Sequence, residues 1–443
     1  MKCGFGKREL TPSEKCYLSG NQNIRIAEGI ADPLFVRAVS FHDEQTAVIL
    51  CYDLIGMIQA NALDIRAFVA KNLGLDEKCV ILTCTHTHTA PNIHSRFFPK
   101  DEALMKALYT LSLEAAKEAI ADLAESEVYF SRDELPGISF NRRYKMKDGS
   151  YHTNPGRRNP DILCPASPPD DTIQLLRFDR GEKGDVLLVN FQVHPDVRGR
   201  KSGNLISADY PGVVCTTLEN ALPGTHCIYF NGASGDLNHI NVNAPEWDKN
   251  AGPAHSRHMG LSLAGKVLCM VSKARPIDAG KVKVHQINAK VPAREYTEEE
   301  LKLARLYMDL YLSGQQEKIP CGELSFTTVI YEILGIITAS ESGGEFNMPI
   351  TGVSFGDVSF IGFPGEVFSE IGRTVRETSP FKAQFVMGLT HGYPDYFPTK
   401  DAFAVGGYER RSSPYKAGVG EIMIDQGKTF VRELYNLKDQ VQK

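Results

Sequence analysis

Residues 79–91 read "CVILTCTHTHTAP", an apolar run that breaks into alternating threonine and histidine and stops at a proline. A short apolar run of this kind is the mark of a buried strand, and a strand is expected over 78–86. Side chains two apart on a strand point the same way, so His86 and His88 are expected to project together from its end. Imidazole is the commonest zinc ligand. The pair therefore reads either as part of a metal site or as two hydrogen-bonded histidines in a loop. With only 12 histidines among 443 residues, what surrounds the pair has to decide.

Working outward, "TAVILCYDLIG" (46–56) reads as a second buried strand, 58–73 as a helix and "DEALMKALYTLSLEAAKEAIADLA" (101–124) as a long amphipathic helix. Further strands are expected at "EVYFSRDEL", "TIQLLRFD", "DVLLVNFQV" (185–193), "THCIYFNGA" (225–233) and 281–293. Helices are expected from Pro211, around 256–273, over 297–313 and near 419–437. "MPITGVSFGDVSFIGFPGE" (348–366) reads as two strands turning at Gly356-Asp357, a hairpin-type dipeptide. Strands alternating with helices predict an α/β fold with mixed β-sheets flanked by helices. Residues 135–170, dense in Gly, Pro, Asn and Arg, read as a long functional loop.

Composition narrows the function. A net charge of −5 with no basic stripe argues against a nucleic-acid partner. No apolar run approaches the roughly 18 residues of a transmembrane segment, and the first residues lack the apolar core of a secretion signal. A cytoplasmic location is the resulting expectation. The 10 cysteines form no CxxC or CxxxC pair, and several lie in apolar segments, as reduced buried thiols do.

Three other strand ends carry metal-competent or polar residues: His194 after "LLVNFQV", Glu366 after "VSFIGFPG", and Asp236 in "YFNGASGD". Strand ends are where α/β proteins place their sites. A hydrogen-bonded histidine and a solvated carboxylate remain the alternatives for His194 and Glu366. His255 and His258, with His239, form a rival cluster.

These residues lie in segments that resemble the neutral/alkaline ceramidase family of zinc-dependent amidases. "THTHTAP" is similar to that family's "THTHSGP", "GFGKRELTP" to "GxGxxDITGP", "SFNRR" to "xxNRS", and "NFQVHPD" to "xFxVHGT". "ISADYPG" resembles "ISSDNKG", "NGASGDLNHIN" resembles "xxNxGDVSPN", "FPGEVFSEIGRTVRE" resembles "VPGEFTxxxGRRLR", and "YFPTKDAFAVGGYE" resembles "YVTTxEEYxxQxYE". The matches run in order along the chain. The resemblance implies one large catalytic domain over 1–443, with zinc held by His86, His194, Glu366 and Tyr396. It also implies that His88, Arg142 and Tyr408 contact the scissile amide. Tyr396 and Tyr408 keep the family's twelve-residue separation. Such a set leaves the metal room for a water whose pKa falls to about 7, so that hydroxide attacks the amide. Arg142, His88 and Tyr408 would stabilise the oxyanion, and His88 or Tyr408 would protonate the leaving amine.

The departures fall around the pocket. Asn238 replaces the family's serine and His239 its proline; Tyr210-Pro211 replaces Asn-Lys. Asp209, Asp236 and Asn238 are expected to line the substrate pocket, with Ser234 a residual nucleophile candidate. The chain stops near the end of the family's catalytic domain, so the C-terminal immunoglobulin-like domain is expected to be missing. The expected activity is zinc-dependent hydrolysis of an amide in an N-acylated small molecule, such as a sugar, amino-acid or lipid conjugate. The arginines of 139–170 (Arg142, Arg143, Arg157, Arg158) and Arg410-Arg411 hint at an anionic or polyhydroxyl group. Alternatives are an ester or phosphoester hydrolase, of which the phosphoesterase would need further carboxylates such as Asp53 or Asp209 for a second metal, and a non-catalytic binding protein of the same fold.

Overall fold

Gly4 and Gly6 stand on one face of the first strand, Lys2–Glu9. A Cβ on Gly4 would lie 2.0 Å from the Ala119 carbonyl oxygen, and one on Gly6 2.2 Å from that of Ala115. The sequence thus permits a long helix to lie directly on the strand. The computed structural model describes residues 1–12, 15–95, 97–199 and 204–437. The first sheet runs Val80–Cys84, Thr46–Tyr52, Phe35–His42, Lys2–Glu9, Ala124–Glu125. Helices α1 (Gln59–Leu73) and α2 (Glu102–Ala121) cover its outer face.

The second sheet runs His226–Asn231, Val186–Phe191, Thr172–Asp179, Glu127–Glu134, Arg275–Pro276. Its outer face packs on α3 (Asp209–Ala221) and α4 (Pro253–Val271). The third sheet runs Val282–Pro292, Glu345–Phe355, Val358–Gly362, Ala383–Met387. Between its first two strands the chain forms α5 (Glu298–Leu312), opened by a capping box between Thr297 and Glu300, and α6 (Phe326–Glu341), capped by Ser325. Helix α7 (Ser369–Thr378) and the final helix Val419–Asn436 back the third sheet.

The inner faces of all three sheets meet in one core that includes Phe41, Phe178, Phe230, Phe355 and Phe360. Fully burying one such ring stabilises the fold by about 1.5–3 kcal/mol, so this shared core fixes the sheets against one another. Each sheet contains one parallel pair: Thr46–Tyr52 with Val80–Cys84, Val186–Phe191 with His226–Asn231, and Val358–Gly362 with Ala383–Met387. The loops leaving the carboxyl ends of these pairs build the site described below.

The α/β reading with mixed sheets and flanking helices holds, and the Gly356-Asp357 turn joins two antiparallel strands with Gly356 at φ 57°. Three details differ. The strand of the histidine motif ends at Cys84, before the histidines. The stretch 135–170 is not one loop: Arg143–Met146, Tyr151–Thr153 and Ile162–Pro165 form a three-stranded sheet around the Lys147–Ser150 turn. No element was expected over α6. Among the described residues no helix is long and apolar enough to cross a membrane.

Candidate metal and catalytic centre

His86 and His88 converge, but not because a strand carries them. His86 has a left-handed backbone, φ 74°, a conformation that non-glycine residues adopt sparingly. Its amide donates to the Leu54 carbonyl (2.9 Å), and its ring Nδ1 lies 2.7 Å from the Ile55 carbonyl. His88 donates its amide to the Pro195 carbonyl (3.1 Å) and places Nδ1 3.0 Å from the Gly20 carbonyl. His194 places Nδ1 2.8 Å from the Ser234 carbonyl and 3.2 Å from that of Leu237.

These partners settle the tautomers. A carbonyl oxygen only accepts, so each Nδ1 carries the proton, and each neutral ring is left with a lone pair on Nε2. The three Nε2 atoms face inward. That of His86 lies 3.3 Å from that of His88 and 3.4 Å from Glu366 Oε2, and that of His194 lies 2.7 Å from the same Oε2. The other carboxylate oxygen, Oε1, accepts from the Tyr393 hydroxyl at 2.6 Å. Oε2 is buried and accepts no hydrogen bond from the described residues. Lone pairs brought together in a dry site repel, and the arrangement is stable when a cation sits among them. The donor set, imidazole nitrogens plus one carboxylate with backbone-fixed tautomers, suits zinc.

Arg142 lies between two short strands and is held from three sides. Nε donates to Glu409 Oε1 (2.7 Å), Nη2 donates to the Gly235 carbonyl (2.7 Å), and Nη1 is 3.4 Å from His194 Nε2. Its guanidinium lies 5.0 Å from the Tyr396 ring centre and 6.0 Å from that of Tyr408, within cation–π range. Tyr396 pairs with Glu366 across a two-residue parallel ladder, which brings both to the same place. Burial pushes the Tyr396 phenol well above its usual range despite the lowering effect of Arg142, so a phenolate there would need a cation's charge.

A cleft of about 590 Å³ opens over this centre. His88, Arg142, His194, Tyr393, Tyr396 and Tyr408 line it, and α6 supplies one wall through Tyr331, Leu334 and Thr338. His86 and Glu366 lie beneath it, both buried.

Three expected pocket residues stand outside the lining. Asp236 is committed to the fold: its carboxylate accepts from the Ser369 amide (2.7 Å), from Asn141 Nδ2 (3.0 Å) and from the Ser369 hydroxyl (3.1 Å), tying α7 to the short strand Phe140–Asn141 just before Arg142. Asp209 accepts the backbone amides of Arg198 (3.1 Å) and Tyr210 (2.7 Å) at the start of α3. Asn238 sits one layer back, donating at 2.7 Å to Asn154, which does line the cleft. The Ser234 hydroxyl accepts from Asn231 (3.2 Å), while its carbonyl orients His194. The rival rings of His239, His255 and His258 are spaced 5.8 Å apart in succession. Among the described residues only His86, His88 and His194 form a group of three with donor atoms all within 4.8 Å. Of the arginines read as anion-binding, Arg142 alone lines the cleft. Arg143 pairs with Glu409, Arg158 with Glu246 and Arg411 with Glu332, and Arg157 donates to the Pro245 carbonyl.

Sequence reasoning missed Tyr393, Glu409, Asp196 and His94. Asp196 and Glu409 lay inside motifs already quoted, and Tyr393 sits three residues before Tyr396. His94, edge-on to Tyr393 with ring centres 5.1 Å apart, lines the cleft within "NIHSRFFP".

A match to the family described as neutral/alkaline non-lysosomal ceramidase, N-terminal, runs over residues 2–235, more than half of the chain. The chain belongs to this family. Its matched part contains His86, His88, Arg142 and His194, while Glu366, Tyr396 and Tyr408 lie beyond it. Among solved structures, neutral ceramidase from Pseudomonas aeruginosa matches with TM-score 0.73 and 17% identity, over 100% of this chain and 75% of that one. A ceramidase complexed with C2 matches with TM-score 0.72 and 17% identity, over 100% and 76%. At that identity the likeness establishes the neutral ceramidase fold. No curated protein sequence matches significantly.

Proposed function

We propose that the protein is a metal-dependent hydrolase of the C–N amide bond in an N-acylated small molecule, with zinc as its metal. One observation carries this reading. Three imidazoles, each pinned through Nδ1 to backbone carbonyls, gather their Nε2 atoms at the floor of a cleft, those of His86 and His194 against one buried carboxylate. Family membership and the likeness to a ceramidase complexed with C2 support an amide-bearing substrate.

His86, His194 and Glu366, with Tyr396 beside them, are the residues to hold the metal. Zinc bound there supplies Lewis acidity toward the carbonyl and a water acidic enough to lose its proton near neutral pH. His88 is given the proton-transfer role because it lines the cleft while His86 lies beneath it. A neutral His88 with a free Nε2 takes up a proton and passes it to the leaving amine, which an amide needs in order to depart. Arg142 brings a charge that Glu409 and the Gly235 carbonyl hold in place, so it can stabilise the developing oxyanion without reorganising. Tyr408, whose ring centre lies 6.0 Å from that guanidinium, would offer its hydroxyl to the same oxyanion.

A one-metal amide hydrolase is favoured over a two-metal phosphoesterase. Asp53 is bound to Arg37 (2.7 Å) and to the Phe35 amide (2.9 Å), and Asp209 to backbone amides. Neither of these two carboxylates is therefore open to a second ion. The deciding experiment combines metal analysis with a panel of N-acyl amides, esters and phosphoesters, using His86→Ala as control. Near-stoichiometric zinc and amide turnover, both lost in His86→Ala, are expected. Turnover that survives that substitution, or a protein that neither holds nor takes up zinc, would overturn the proposal, and the latter would leave a binding protein of this fold.

A further inference from the structure

Asp196 follows the Pro195 whose carbonyl orients His88, and it lines the cleft beside His88, His194 and Arg142. Its Oδ1 is buried 3.1 Å from Nδ1 of His239, itself 4% exposed. The side chain as a whole is 36% exposed and lines the cleft, so its exposure falls on the part other than the buried Oδ1. Among the described residues Oδ2 has no hydrogen-bond partner. In the motifs compared above, aspartate and histidine stand here in place of threonine and proline, so the two departures fall on one contact.

The polar part of the lining fits a hydroxyl-seeking surface, beside apolar walls formed by Ile55, Ile58, Phe97, Leu334 and Phe346. Among the described lining residues the guanidinium is that of Arg142, which is paired with Glu409, and Asp196 brings a carboxylate. Gln59, Asn154, Ser325 and Thr328 add amides and hydroxyls along the walls. An anionic substrate would enter this cleft against the charge of Asp196; a substrate rich in hydroxyls, or a cation, would be held by it.

Resting on the hydrolase reading above, we infer that Asp196, in contact with His239, selects the amine half of the substrate. It accepts hydrogen bonds from a small polyhydroxylated amine component of the amino-sugar class, in preference to an N-acyl amino acid. Its position next to His88 places it on the side of the leaving amine. Hydrolysis releases that amine, which becomes a cation at neutral pH, so the same carboxylate also binds the product.

The test uses the zinc-loaded protein and the isosteric Asp196→Asn, with Asp196→Thr as a second variant. kcat and KM are measured for N-acetylglucosamine, for a neutral N-acetyl alkylamine and for N-acetylalanine, and glucosamine binding is measured by calorimetry. Unchanged circular dichroism and zinc content are required of each variant. The wild type is expected to prefer N-acetylglucosamine. In both variants its kcat/KM should fall about tenfold or more, mainly through KM, as loss of a charge-assisted hydrogen bond predicts. N-acetylalanine should improve, the alkylamine substrate should be little changed, and glucosamine should bind about tenfold more weakly. An unaltered order of substrates together with unaltered glucosamine binding would overturn the inference while leaving the hydrolase intact. Glucosamine binding that depends on Asp196 in a protein without amide turnover would uphold the selectivity and remove the hydrolase reading instead.

Discussion

Nε2 of His194 lies 2.7 Å from Oε2 of Glu366, and the other ring nitrogen of the same histidine is committed to the Ser234 carbonyl at 2.8 Å. The histidine follows a strand of the second sheet and the glutamate one of the third, and His86, which follows a strand of the first, stands 3.4 Å from the same oxygen. One carboxylate oxygen thus gathers residues from the segments that leave all three sheets. Replacing Glu366 by Gln should lower zinc affinity at least tenfold. A ligand present at a hundred times its dissociation constant stabilises by about 2.7 kcal/mol, so saturating zinc should raise the wild-type melting temperature and leave that of Glu366→Gln nearly unmoved. Differential scanning calorimetry with and without zinc reads both.

Tyr393 donates at 2.6 Å to the second oxygen of that carboxylate. Groups that orient metal ligands typically contribute about ten- to a hundredfold in metal affinity or activity. Tyr393→Phe keeps the ring against His94 and removes only the hydroxyl, so a zinc dissociation constant raised within that range is expected from competition with a chelator. No change would show that Glu366 is oriented by its backbone alone.

Gly20 has φ 84°, and a Cβ there would fall 2.5 Å from Nδ1 of His88. Gly20→Ala therefore displaces the His88 ring while touching neither His194 nor Glu366. The variant should keep its zinc and lose turnover, by about a hundredfold if His88 is the proton carrier. Retained zinc with retained kcat would remove His88 from that role.

Asp171 provides a pH test away from the centre. Partial burial, reinforced by Asp170 and Glu134, raises its carboxyl to about 6, and its buried Oδ1 has no hydrogen-bond partner among the described residues. A carboxyl whose folded pKa is raised contributes stability that is fully present below its unfolded pKa of about 4 and is lost as pH rises through 6. Asp171→Asn should therefore be more stable than the wild type at pH 7.5, with the difference shrinking as pH falls below 6. Denaturant titrations at pH 5 and 7.5 measure it; an equal difference at both would refute the assignment.

Much of the framework could be read directly from the chain. The amphipathic run at 101–124 became α2, trimmed to Glu102–Ala121, and the apolar runs after Thr46 and Cys79 became neighbouring parallel strands. Strongly periodic segments are legible because their pattern is local. Helix α6 escaped notice because its apolar residues are not confined to one stripe: it packs on α5 on one side and faces the cleft on another. The stretch 135–170 was obscured by its Gly and Pro content, since strands of three or four residues leave too short a pattern to register.

The site divides in the same way. Sequence motifs were enough to single out His86, His194, Glu366 and Arg142, and the folded chain brings all of them to one place. They could not give the reason His86 and His88 converge, which is a left-handed residue after the strand, nor which ring nitrogen carries the proton, because that depends on carbonyls at Ile55, Gly20 and Ser234. Nor could they separate Asp236, spent on holding Ser369 and Asn141, from Asp196, which faces the cleft. Residue type and spacing specify which groups are capable of a chemistry. Which of them remain available for it depends on hydrogen-bond partners tens to hundreds of residues away, and those are assigned only when the three sheets close on their shared core.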